Sequence, residues 1–220
     1  MNVIQKIKYY SALVFIFFSF NGFPNKLKLG LHAGINFSTI LASNSSDDFN
    51  FGKGFLPAVS HGLKIEYLID DDFFLVSELN YSVKGYTNNQ FGIRVRSYSN
   101  YITIPFRAKI ISSENLSVEL GPYLGFALRE YLINNLTKNK VFGRIGNNLN
   151  NEPPDTLKPL DLGVQFGLNY NFNKIAIGGF LSYGLVNTRP GGGQGLSIRN
   201  LSTQIRLSYD IFNFKLNEKN

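Results

Sequence analysis

The feature that most limits what this chain can fold into is a strict alternation of apolar and polar residues over segments far longer than ordinary strands. Successive side chains of a β-strand point to opposite faces, so a period of two marks a strand with a different environment on each side. The clearest segment carries Leu160, Leu162, Val164, Phe166, Leu168, Tyr170 and Phe172 on one face, with Asp161, Gly163, Gln165, Gly167, Asn169 and Asn171 on the other. The period recurs over residues 29–37, 59–67, 73–84, 102–110, 116–129 and 201–211, and a glycine-rich segment over 175–186 fits the same series. The count is about eight strands of roughly ten residues or more, the length a tilted strand needs to cross a membrane. Globular strands average about 5–6 residues.

The spaces between these segments alternate in length. Long connections are predicted at residues 39–54, 87–97, 131–158 and 188–198, and short ones at 69–72, 111–115 and 173–174. Short turns at one end and long loops at the other are the habit of bacterial outer-membrane barrels, as is an even strand number. With the long connections outside, both termini fall in the periplasm. The predicted fold is all-β: an eight-stranded antiparallel up-and-down transmembrane β-barrel with a side-chain-filled lumen.

Alternation alone leaves the inward face open. A soluble lipocalin-like barrel binding a small ligand would bury the apolar set, whereas a membrane barrel turns it to lipid. Composition favours the second arrangement. Charged residues make up 17% of the chain and aromatics 15%, and the polar set is rich in Gly, Ser and Asn, which suit a narrow lumen. Its charges nearly balance: Lys64, Lys84, Arg107, Lys109, Arg129 and Arg206 can face Glu66, Glu78, Glu119, Asp161 and Asp210. A closed lumen needs such pairing, because an unpaired buried charge is expensive. These eleven residues are the candidate structural network. Tyr67, Phe73, Phe172, Tyr209 and Phe212 fall beside the short turns, as an interfacial girdle would.

The N-terminus reads as a secretory signal peptide. Lys6 and Lys8 precede an apolar run from Ala12 to Phe18 that is too short to span a bilayer as a helix. The predicted division is a cleaved leader over residues 1–22 and a single barrel domain over 23–220. Cys is absent, which excludes disulfides, thiolate metal sites and a Cys nucleophile. A formal net charge of +7 permits attraction to anionic surfaces without indicating nucleic acid.

No catalytic, cofactor or metal constellation emerges. His32 and His61 are the only histidines, and their opposite parity sends them to opposite faces, against a shared metal site. His61, read as near the external end of its strand, is the one candidate base for a rim hydrolase acting on membrane lipid, and no G-x-S-x-G motif accompanies it. The run Gly191-Gly192-Gly193-Gln194-Gly195 leads into a strand, whereas a phosphate-binding loop needs a helix N-terminus. Arg94, Arg96, Lys138, Lys140, Arg144, Arg189 and Arg199 lie in the predicted outer connections, partly offset by Asp47, Asp48, Glu152 and Asp155. They suit contact with outer-membrane lipid or lipopolysaccharide, or with an acidic protein partner reached through the loops or turns.

The layout resembles the PorT-like outer-membrane β-barrel proteins of Bacteroidota. The resemblance is carried by Leu29-Gly30-Leu31-His32-Ala33-Gly34-Ile35-Asn36, Gly62-Leu63-Lys64-Ile65-Glu66-Tyr67, Glu78-Leu79-Asn80-Tyr81-Ser82-Val83-Lys84-Gly85-Tyr86, Tyr101-Ile102-Thr103-Ile104-Pro105 and Gly121-Pro122-Tyr123-Leu124-Gly125. It implies a small barrel in the outer membrane without one assigned activity; some members of that family serve the type IX secretion and gliding machinery.

Overall fold

The computed structural model describes residues 26–44, 53–90, 92–191 and 196–215. The predicted leader and the acidic pair Asp47 and Asp48 lie outside them. Strands β1 (Lys26–Asn44), β2 (Lys53–Gly54), β3 (Leu56–Asp70), β4 (Phe73–Gln90), β5 (Ile93–Ile111), β6 (Leu116–Asn134), β7 (Lys140–Phe142), β8 (Leu160–Phe172), β9 (Ile175–Gly184) and β10 (Leu196–Lys215) form one antiparallel sheet. Its long strands pair in chain order from β1 through β3, β4, β5, β6, β8 and β9 to β10. The ring closes where β10 returns to β1, in a register running from Lys26 opposite Lys215 to Asn44 opposite Leu196. β2 and β7 are short additions against β4 and β6 at one end.

Closure leaves no unpaired edge along the wall, which meets the backbone requirement of a sheet in hydrocarbon. The side chains are distributed inside out. Leu31, Ile35, Val59, Leu63, Leu79, Ile110, Leu120, Leu168, Ile177 and Leu207 are exposed on the outer surface, while Lys64, Glu66, Glu78, Arg107, Glu119, Asp161 and Arg206 are buried within. A soluble barrel would show the reverse. The compact apolar cluster of the described residues is Leu68, Phe74 and Val76 with Ile111, at the short-turn end of the lumen.

All four predicted long connections are shortened: β1 stays paired to Asn44 within residues 39–54, and β10 starts at Leu196 within 188–198. Residues 87–97 are not a long loop: β4 and β5 continue through them as a paired ribbon to Gln90 opposite Ile93. Likewise β6 runs on to Asn134 and pairs with β7 inside the predicted loop 131–158. The outward side chains of the β4–β5 ribbon, Thr87, Asn89, Arg94 and Arg96, are polar while Ile93 and Val95 face inward, because the ribbon projects beyond the apolar belt. The apolar outward face that marks a strand in lipid ends where the strand leaves the belt. β5 and β6 are each 19 residues long as a result.

Leu120 sits near the middle of the belt, 58% exposed, between Ala108 of β5 and Phe166 of β8. Leu120→Arg is expected to cost about 2–4 kcal/mol of folding stability in phospholipid vesicles, read by denaturant titration of the heat-modifiable folded band. A barrel whose outer face met water would lose almost nothing.

Candidate functional site

The lumen is where this chain concentrates its polar chemistry, and it is stacked in layers. Nearest the short turns, Lys64 Nζ lies 2.9 Å from Glu66 and 2.8 Å from Asp210, and Lys109 Nζ lies 2.9 Å from the same Glu66 oxygen. Lys28, on the inward parity of β1 and unremarked in the sequence, reaches Asp210 at 4.0 Å. The ammonium groups of Lys28 and Lys109 also lie 5.2 and 5.5 Å from the Phe74 ring centroid, joining this layer to the apolar cluster.

The next layer is built on Arg107. Its guanidinium donates to Glu78 on β4 at 2.5 Å, to Glu119 on β6 at 2.6 Å and to Gln165 on β8. Arg206 on β10 donates to Glu78 at 2.9 Å, so one carboxylate ties two guanidinium groups together across the barrel. Asn169 donates to the other oxygen of Glu119 at 2.8 Å. His32 Nε2 lies 3.7 Å from Glu78. Phe180 packs against both arginines, its centroid 3.6 Å from Arg206 Cζ and 5.0 Å from Arg107 Cζ. Gly167 and Gly178 make the slot for this ring, since a Cβ at either would collide with it.

A neutral layer follows, with Asn36, Ser60, Asn80, Ser82, Thr103, Gln165 and Gln204 around a cavity of about 20 Å³. Beyond it Lys84 Nζ pairs with Asp161 at 2.8 Å, and Asn200 and Tyr123 donate to the same Asp161 oxygen at 2.9 and 3.3 Å. Lys84 also sits 4.3 Å over the Tyr123 ring. Ten of the eleven residues singled out by alternation therefore lie in three stacked levels of one lumen. Besides Lys28, the inward residues that alternation did not flag include the aromatics Tyr101, Tyr123 and Phe180, which look apolar in sequence. The available signal was their parity, since each falls on the polar face of its strand.

Arg129 is the correction. The pairing of β5 with β6 slips between Asn100 and Tyr101: Asn100 faces Arg129 while Tyr101 faces Ala127. Leu128 is the extra residue of a β-bulge, and a bulge reverses the parity of all that follows it. Leu128 and Arg129 thus both face outward, and Glu130 turns in. Arg129 lies 4.4 Å over the Phe142 ring and takes no part in the lumen network.

The long-loop end carries a second concavity. Its cavity of about 400 Å³ is lined by Tyr86, Glu130, Leu132, Leu157 and Arg189 among others, and lies above the Lys84–Asp161 pair. Its roof is held by Asp155, which accepts the backbone N–H of Asn148 at 2.8 Å, Asn151 Nδ2 at 3.1 Å and Arg144 Nε at 3.2 Å. The Asn148 N–H keeps this carboxyl below its ordinary range. His61 is placed away from this rim. It projects outward from the body of β3, opposite Ala33 and Tyr81, with its ring 5.3 Å from Tyr81. His32 is buried on the other face.

Residues 18–189 match the family model described as outer membrane protein beta-barrel domain. No curated protein matches the chain. Among solved structures it is similar to Neisserial surface protein A, at 13% identity over 83% of this chain and 97% of that one, with a TM-score of 0.48. The attachment invasion locus protein Ail of Yersinia pestis shares 11% identity over 87% of this chain and 99% of that one, with a TM-score of 0.44. OprG from Pseudomonas aeruginosa shares 10% over 89% and 99%, with a TM-score of 0.42.

Glu78 is the common acceptor of the central layer, so its removal leaves Arg107 short of one partner and Arg206 with none of its ion pairs. Glu78→Leu is expected to destabilise the folded barrel by about 3–5 kcal/mol, the cost of stranding buried charge. Equilibrium unfolding in detergent micelles measures it. Replacing Glu78, Arg107 and Arg206 together by apolar residues of similar volume is expected to recover most of the loss.

Proposed function

Because the chain belongs to the outer membrane protein beta-barrel domain family, we propose that this small outer-membrane barrel is a plugged, non-enzymatic anchor that presents its long-loop end to a partner. The observation that carries the reading is the lumen. Three levels of paired charge cross it, and the gap between them has room for about one water molecule at roughly 20 Å³. An ion would have to displace Arg107 or Lys84 from its carboxylates to pass. Among the described residues the charged groups bond one another. The buried His32 ring and Ser38 hydroxyl, which lack hydrogen-bond partners among those residues, stand six residues apart on β1 rather than together as base and nucleophile.

The reading extends to topology and lineage. The leader over 1–22 is removed on export, residues 23–220 form the one domain, and both termini rest in the periplasm beside the short turns. The long-loop end then faces outward, where its basic side chains meet lipopolysaccharide or an acidic protein. The blocks that resemble PorT-like proteins support a place in that branch of Bacteroidota barrels and a role beside the type IX secretion and gliding machinery.

Purified protein in planar bilayers is expected to show no stable large conductance, and affinity capture from detergent-solubilised outer membrane is expected to return a defined protein partner. A steady open pore would overturn the plugged-anchor reading. Recovery of secretion-machinery components is the expected outcome for the PorT-like branch, and their absence would remove that assignment.

A further inference from the structure

The bulge at Leu128 does more than remove Arg129 from the lumen. It turns Arg129, Tyr131 and Ile133 outward together, beside the even-numbered outward side chains of β5, Arg96 and Tyr98. The Tyr98 and Tyr131 rings stack with centroids 4.9 Å apart, and Phe142 of β7 adds a third ring 6.2 Å from Tyr131. Two cations lie over this cluster: Arg129 at 4.4 Å from the Phe142 centroid and Lys140 at 5.6 Å from that of Tyr131. Among the described residues neither forms an ion pair with a carboxylate. The adjacent acid, Glu130, is turned into the mouth, where it accepts the Thr156 hydroxyl.

The height of this patch decides what it meets. A strand rising about 3.4 Å per residue and tilted about 40° climbs roughly 2.6 Å per residue along the barrel axis. An apolar band about 25 Å tall therefore takes about ten residues. On β6 that band starts at Leu116 and includes Leu120, Leu124 and Phe126, all exposed. Arg129 and Tyr131 come next, level with lipid headgroups and continuous with the apolar wall below. A ligand with acyl chains and an anionic headgroup engages wall and patch at once; an acidic peptide engages only the patch.

We propose that this rim is a docking site for the phosphorylated headgroup of an outer-leaflet glycolipid of the lipid A type. Arg129 and Lys140 hold phosphate, and the Tyr98, Tyr131 and Phe142 rings fix both cations and cover the sugar. The site rests on the reading that the long-loop end faces outward. It does not depend on whether the lumen is closed.

The test is titration of the purified full-length barrel in micelles with bisphosphorylated lipid A and with its dephosphorylated counterpart, read by native mass spectrometry. The wild type is expected to prefer the phosphorylated form. R129Q/K140Q is expected to weaken that binding roughly tenfold or more, while Lys174→Gln at the opposite end leaves it unchanged. Arg129→Lys, which keeps charge but loses planar stacking, is expected to fall between. Heat-modifiable gel mobility verifies that each variant folds. Equal affinity for the two lipids, or an unchanged affinity in the double variant, overturns the proposal. So does capture of an acidic protein through these residues without any preference for lipid phosphate. A conducting pore in bilayers would sink the plugged lumen and leave this site standing; loss of phosphate preference does the converse.

Discussion

A charge can lie inside a barrel surrounded by hydrocarbon only if it is paired, and the rest of this structure is arranged around that requirement. Arg107 shows how it is met. One side chain on β5 reaches carboxylates on β4 and β6 and an amide on β8, so four strands are linked across the lumen. Arg206 joins β10 to the same carboxylate on β4. Buried ion pairs of this kind contribute little net stability over apolar packing, because desolvation offsets most of the attraction. What they supply is a strong preference for one register. A one-residue slip of any long strand would drive its charges into lipid and its leucines into the lumen.

Much of this was legible in the sequence, for a reason specific to the environment. Where both faces of a strand have fixed and opposite surroundings, the period of two is nearly unbroken, as over Leu160 to Phe172. Parity then assigns each side chain to a face, and it placed Lys64, Glu66, Glu78, Lys84, Arg107, Lys109, Glu119, Asp161, Arg206 and Asp210 on one surface. Where the surroundings stop differing, the signal stops too. The far end of the β4–β5 ribbon is polar on its outer side, so Asn89 and Arg96 read as loop although they are paired strand.

Arg129 was misplaced for a different reason. Parity counts residues, and a β-bulge adds one without any mark in composition: Ala127-Leu128-Arg129-Glu130 carries neither glycine nor proline. Only the pairing with Asn100 and Tyr101 reveals the slip. The inward aromatics form a third class. Phe180 is apolar in sequence and polar in position, because two guanidinium groups pack against its ring. A cation over an aromatic ring recovers part of the solvation lost on burial, so an aromatic on the polar parity of a charged barrel is a consistent choice.

The polar lumen also answers a question that stability alone does not. A lumen packed with leucine would be no less stable by the usual accounting of buried ion pairs, so some other constraint must keep it charged. An outer-membrane chain crosses an aqueous compartment unfolded. A strand apolar on both faces would then be a ten-residue apolar segment with high β-propensity, which is the description of an aggregation-prone stretch. Placing Asp161, Gln165 and Asn169 between the apolar residues of β8 keeps every segment half polar before folding. Once the ring closes, the same residues must be neutralised within it, and the cheapest way is against each other. The filled lumen is thus the folded consequence of a requirement on the unfolded chain, and it leaves the rim and loops as the surfaces free to take on function.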